Sequence, residues 1–145
     1  RDPERTPMQW DDSANAGFCP PDVEPWLPVG ASASTVNVAA QRNDPSSMLA
    51  LTRRLIDLRR ESPALHEGDY QSFDSPPGVF LFERKQGDEQ YLIALNFTAN
   101  PTACPLPEGI PHATVRLSTY LDREGEALED KIELRADEGI VCWVD

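Results

Sequence analysis

With 145 residues the chain has room for one ordinary domain, or for one small domain with part of another attached. Its 25 acidic and 13 basic side chains give a formal net charge of -12, which excludes the basic surface that nucleic acid or an anionic membrane requires and points to a neutral partner. Cys19, Cys104 and Cys142 are odd in number and widely spaced, the pattern of reduced thiols in the cytoplasm rather than of a disulfide framework; with His66 and His112 standing alone, no metal-ligand spacing arises.

Residues 1–43 read as irregular, punctuated by Pro3, Pro7, Pro20, Pro21, Pro25 and Pro28 and by the flexible run "GASAS" from Gly30 to Ser34. A structureless segment of this length is rare inside a compact domain. It also carries Met8, Trp10, Phe18 and Trp26, which are costly to leave in water and require a covering surface. Such a stretch is expected to be a functional loop or to have lost its context.

A helix is predicted within "NDPSSMLALTRRLIDLRRESPAL", with Asn43 or Asp44 as N-cap and Pro45 in the first turn. Met48, Leu51, Leu55 and Leu58 recur at helical steps, Leu49 and Ile56 widen the stripe, and Arg53, Arg54, Arg59 and Arg60 load the polar face. Pro63 ends it. Such a helix is marginal alone, so its stripe needs a body to pack on.

From Gly68 the apolar period changes to two. "GDYQSFD" and "VFLFERK" flank "SPPG", where Pro77 and Gly78 suit the centre of a type II turn, and "QGDE" leads into "QYLIALNFT", with Tyr91, Ile93, Leu95 and Phe97 on one face. "ATVRLSTYL", "KIELR" and "GIVCWVD" follow. About six or seven antiparallel strands are expected, forming a β-sandwich with one face of each strand buried and the other wet. The fold class is mainly β: an antiparallel sandwich over 66–145, preceded over 1–65 by the loop and helix.

"DREGEALED", residues 122–130, gathers five acids but lacks the alternating oxygens of a calcium loop, and reads as a solvated acidic turn. "NFT" at Asn96 matches a glycosylation sequon inside a strand and is expected to be idle. His66 and His112 read as helix-end and turn residues, and Trp10 and Trp26 as packing anchors rather than sugar platforms. From the residues alone Arg5 reads as a salt-bridge partner of Asp2, Glu4 or Asp11.

The order "RDPERTPMQWDDSANAGF", "PWLPV", "VNVAAQRNDPSS", "LIDLRRESPAL" and "ALNFT" resembles, over the whole chain, the C-terminal end of α-glucosidases of the α-amylase family of glycoside hydrolases, close to oligo-1,6-glucosidases and trehalose synthases. "RTPMQWD" followed by "NAGF" carries the resemblance; the β-rich tail adds little. It implies that residues 1–65 end a (β/α)8 catalytic barrel, as the loop after the last strand and the final helix, and that residues 66–145 are the C-terminal sandwich.

The resemblance further implies a retaining mechanism with an Asp nucleophile, a Glu acid/base and a further Asp, all upstream of Arg1. No catalytic residue is therefore assigned here, and the chain alone is expected to hydrolyse nothing. One residue carries over: the arginine before "TPMQW", Arg5, is implied to reach the glucose on the non-reducing side of the cleaved bond, a task suited to a rigid guanidinium fork. The implied enzyme removes α-linked glucose from the non-reducing ends of short oligosaccharides in the cytoplasm, without a metal or organic cofactor, its partners being that sugar and the rest of the barrel. A trehalose synthase is the nearest alternative; a non-catalytic sandwich that binds carbohydrate or a partner protein is the alternative of another class.

Overall fold

Prolines and small polar residues leave the first 52 residues with few regular elements, held together by isolated hydrogen bonds. The computed structural model describes residues 2–145, without the side chains of Asp2 and Pro3, and divides into two compact units, Arg1–Thr52 and Arg53–Asp145.

In the first unit, 3-10 turns form at Asp2–Arg5 and Ala14–Gly17, and a short helix α1 at Val38–Arg42. Helix α1 lies in a stretch expected to be irregular. Its cause is Asn37, a buried N-cap whose side chain accepts from the Ala40 N–H (2.8 Å) and donates to the Ala33 carbonyl (2.9 Å). The N–H groups of Val38 and Ala39 donate to the carbonyls of Gln9 and Trp10, both at 2.9 Å, which ties the two ends of the loop together.

Helix α2, Met48–Glu61, starts later than its sequence suggests. Asp44 closes a turn of its own, accepting from the Ser46 N–H at 2.8 Å, and the hydroxyl of Ser47 takes the capping role by accepting from the Ala50 N–H at 3.2 Å. Of the predicted stripe only Leu51 is buried; Met48, Leu55 and Ile56 are exposed. Pro63 does end α2, and it also opens helix α3, Pro63–Glu67, capped by Ser62. The carboxylate of Glu89 accepts from the Ser62 hydroxyl and the Ala64 N–H, both at 2.8 Å, where a helix start favours negative charge.

The second unit is mostly antiparallel sheet. Strands β1 (Asp69–Phe73), β2 (Val79–Gln86), β3 (Glu89–Asn96), β8 (Gly139–Val144), β5 (Ala113–Ser118) and β6 (Ala127–Leu128) form one sheet in that order. Strands β4 (Thr102–Pro105) and β7 (Lys131–Leu134) form a second. The sequence misses β4, whose "TACP" is bracketed by prolines, and β6, which has two residues. The expected type II turn is present: the Val79 N–H donates to the Pro76 carbonyl at 3.0 Å, and Gly78 takes a φ of 82° that favours glycine.

The larger apolar core joins the two sheets, packing Leu81, Leu92, Val115, Ile140 and Cys142 with Cys104, Ile132 and Leu134 of the smaller one. A second core lies on the opposite face of the large sheet, where Tyr91 and Ile93 meet Ala64, with Leu58, Leu65 and Trp143 beside them. Thus β3 and β8 are covered on both faces, and the expectation of one wet face per strand fails at the sheet centre because α3 sits there. Tyr91 and Trp143 meet edge to face with centroids 5.2 Å apart, an arrangement worth about 0.5–1.5 kcal/mol beyond burial. Phe97, expected on the Tyr91 face, lies beyond the end of β3 and is 71% exposed.

Candidate functional site

The loop before α1 is organised by a left-handed run. Asn15 (φ 54°), Ala16 (φ 54°) and Gly17 (φ 65°) follow one another in a region that costs a non-glycine residue about 1–2 kcal/mol. Hydrogen bonds hold it: the Asn15 side-chain amide donates to the carbonyls of Pro20 (2.9 Å) and Val23 (2.8 Å), and the Ala16 carbonyl accepts from the Trp10 N–H (2.9 Å). A Cβ on Gly17 would stand 2.7 Å from a carboxylate oxygen of Asp11, so the close approach also requires glycine. Strain stored this way clusters where side chains must be aimed.

Arg5 ends the first 3-10 turn and is exposed. Its guanidinium carbon lies 4.8 Å from the centroid of the Trp26 ring, over the ring face. Trp26 is 83% exposed within this chain. Of the acids proposed as partners for Arg5, Asp11 accepts from the N–H and hydroxyl of Ser13, and these bonds hold its carboxyl below the usual range. The side chain of Asp2 lies outside the described residues.

An open groove of about 430 Å³ in the same unit is lined by Pro7, Met8, Val36, Val38, Met48 and Leu49 among others, and includes neither Arg5 nor Trp26. Its surface is more apolar than polar, with Thr6, Gln9, Asn37, Gln41 and Thr52 also on its wall.

The five acids of segment 122–130 are exposed, as a solvated turn requires, and Asp122 and Glu126 among them are also paired with arginines. Asp122 accepts two hydrogen bonds from Arg135 (2.7 Å each), and Glu126 accepts two from Arg123 (2.7 Å each). Both arginines also reach Glu138, Arg123 at 3.0 Å and Arg135 at 2.6 Å, and the Glu138 side chain is wholly buried. Burial works to raise Glu138, but the Arg135 side chain and N–H and the Arg123 charge outweigh it and hold the carboxyl below its ordinary value. Arg135 holds Asp122 down at about 2. These carboxyls, with Asp11, Glu126 and Glu133, are all shifted downward, the direction of ion-pair anchors and the opposite of a general acid. Sequence reading missed Glu138, whose setting "ADEGI" carries no local signal.

Asn96 is 3% exposed. Its side-chain nitrogen donates to the carbonyls of Asn100 and Arg135, both at 2.8 Å, and its oxygen accepts from the N–H and hydroxyl of Thr98. The sequon asparagine thus joins the end of β3 to two loops. Cys19, Cys104 and Cys142 are free thiols. Burial pushes Cys104 up, and pushes Cys142 up to about 12. Among the described residues no helix is long and apolar enough to cross a membrane.

Comparison with known proteins places these features in context. A family model described as "Alpha amylase, catalytic domain" matches residues 1–68. The oligo-1,6-glucosidase of Parageobacillus thermoglucosidasius is 37% identical over 138 residues, 93% of this chain and 24% of that protein. The oligo-1,6-glucosidase of Bacillus cereus is 35% identical over 143 residues, 97% of this chain and 25% of that protein. Among solved structures, trehalulose synthase MutB from Pseudomonas mesoacidophila MX-45 matches with a TM-score of 0.86 and 35% identity, covering 97% of this chain and 25% of its own. A MutB variant in complex with the substrate sucrose matches with a TM-score of 0.90 and 36% identity. The chain spans about a quarter of the length of these relatives.

Proposed function

Because the chain belongs to the α-amylase family of glycoside hydrolases, we propose that it forms the end of the catalytic barrel and the C-terminal β-domain of an α-glucosidase-type enzyme. Residues 1–65 act as the loop after the last barrel strand with the final helix, and residues 66–145 as an antiparallel sandwich that follows the barrel. The observation that carries this reading is likeness along almost the whole chain to proteins named oligo-1,6-glucosidase, with the catalytic-domain match ending at residue 68, one residue before β1. The exposed Met8, Trp10, Phe18, Trp26, Met48, Leu55 and Ile56 support it as surface that the remaining barrel covers.

The complete enzyme cleaves α-linked glucose from the non-reducing ends of short oligosaccharides in the cytoplasm, by double displacement between two carboxyl groups. Those carboxyl groups belong to earlier barrel strands, and this chain alone is inactive. Arg5 contributes by donating hydrogen bonds to the terminal glucose. Each such charge-assisted bond is worth about 1.5–3 kcal/mol, so in the complete enzyme Arg5→Ala lowers kcat/KM for p-nitrophenyl α-glucopyranoside by roughly 10- to 100-fold while leaving Tm in place. An unchanged kcat/KM removes Arg5 from the site. Turnover of the same substrate by the 145-residue chain alone contradicts its inactivity.

A further inference from the structure

We infer that Phe80, Phe82 and Tyr70, an aromatic run on the α3 face of the large sheet, form a docking face whose occupant is the earlier part of the same enzyme's catalytic barrel; this rests on the reading of the chain as the end of such a barrel given above. Alternation along β2 puts Phe80 and Phe82 on the face opposite to the buried Val79 and Leu81. Strand pairing sets Tyr70 of β1 beside Arg84, on that same face and diagonal to Phe82. The three rings stand in a row: the centroids of Phe80 and Phe82 are 5.0 Å apart, and those of Phe82 and Tyr70 5.5 Å.

This face is covered only in part. Helix α3 seals Tyr91 and Ile93 of β3 with Ala64, while Phe82, Leu95 and Val141 are partly buried at the margin of that core. Phe80, which pairs with Leu95, and Tyr70 stay 40% and 55% exposed among the described residues. The helix already seated on the face lies inside the match to the catalytic-domain model, which runs to residue 68. The contact of α3 with β3 is thus the first part of an interface between barrel and sheet, and the aromatic run continues it. The chain spans about a quarter of the length of its relatives, so the body able to extend the cover lies in the remainder. Rings inclined by 31° and 39° to one another form a ridged apolar surface, which interlocks with packed side chains, whereas a sugar ring stacks on a flat one.

Thiol labelling of cysteine substitutions in the complete enzyme tests this, each introduced thiol being followed by mass spectrometry of its own peptide. Phe80→Cys and Tyr70→Cys, made separately, probe the face; Lys131→Cys, on an exposed position of the small sheet beyond the opposite face, is the reference. Each face thiol is expected to react at least about 10-fold more slowly than the reference in the native complete enzyme, and at least about 10-fold more slowly there than in the 145-residue chain, where Cys142 staying unlabelled shows that the sheet is folded. Face thiols that react as fast as the reference in the complete enzyme overturn the inference; slowing of that reaction by added maltose would make the face a sugar platform, and slowing only at high enzyme concentration a contact between two copies. Equal rates in the enzyme and the chain overturn it as well, since the earlier part of the barrel then adds no cover. Turnover of p-nitrophenyl α-glucopyranoside by the unsubstituted complete enzyme reports separately on the α-glucosidase reading: its absence fails that reading, whereas fast labelling at full turnover fails this inference alone.

Discussion

Replacing Glu138 by alanine removes a wholly buried carboxylate shared by two arginines, Arg123 at 12% and Arg135 at 41% side-chain exposure. Three hydrogen bonds go with it: from Arg123 (3.0 Å), from the Arg135 guanidinium (2.6 Å) and from the Arg135 N–H (2.8 Å). Breaking a buried pair from one side costs about 3–5 kcal/mol, because the remaining charge is left without its partner. Here each arginine keeps a second carboxylate, Glu126 or Asp122, which places the loss near the lower end, about 3 kcal/mol. Against a domain stability of about 5–15 kcal/mol this is large, and it lowers Tm by more than about 10 °C. Glu138→Gln keeps the shape and one acceptor and is expected to lose about 1.5–2 kcal/mol.

The same network sets an acid dependence. Glu138 and Asp122 both have carboxyls lowered by folding, Asp122 to about 2, so their contribution is fully present above the unfolded carboxyl value of about 4 and drains as pH falls toward 2. Urea midpoints followed by far-ultraviolet circular dichroism are therefore expected to separate Glu138→Ala from the parent widely at pH 7 and much less at pH 2. An unchanged midpoint at pH 7, or an equal gap at both values, refutes the network as a source of stability.

Two further outcomes concern the cysteines and Gly78. A thiol reagent applied to the native chain should modify Cys19, which is half-buried, and leave Cys104 and Cys142 until the chain is unfolded in denaturant; mass spectrometry of the labelled peptides reads this directly. Gly78→Ala should destabilise the second unit by about 1–3 kcal/mol in urea melts, since φ is 82° and the new Cβ would stand 2.3 Å from Thr98 Cγ2. Thr98 cannot swing aside cheaply because its hydroxyl bonds Asn96 and Asn100.

What was legible in the sequence was what is decided locally. The Pro77–Gly78 turn, the two-residue turn with Gly87 at a φ of 59° and the alternation at the start of β2, where Val79 and Leu81 are buried and Phe80 is exposed, follow from short-range rules, and the structure places them where the pattern does. Two failures were also local in origin but ambiguous: Asn37 caps α1 without an apolar period to announce it, and Ser47 outcompetes Asp44 because both are good caps. Other features were not local. Glu138 is ordinary until folding brings Arg123, fifteen positions away, onto its buried oxygen. β3 has no wet face because α3 covers Tyr91 and Ile93 on one side while the core shared with the small sheet covers Leu92 and Ala94 on the other. In the loop, the motif around Arg5 is conspicuous, whereas its contact with Trp26 joins distant parts of the chain.

In an oxidising compartment Asn96 would place two processes in a kinetic race. The side-chain nitrogen that a glycan would occupy is the atom that ties β3 to Asn100 and Arg135, inside the protein. A transferase needs that nitrogen on an extended, hydrated chain. Folding withdraws it within the time the sheet takes to form, and a glycan attached earlier would remove one of its hydrogens and place bulk where the two loops converge. The modified and the folded forms therefore exclude each other at a single atom, and the glycan occupancy of this sequon in an oxidising compartment would serve as a stopwatch on the folding of the sheet.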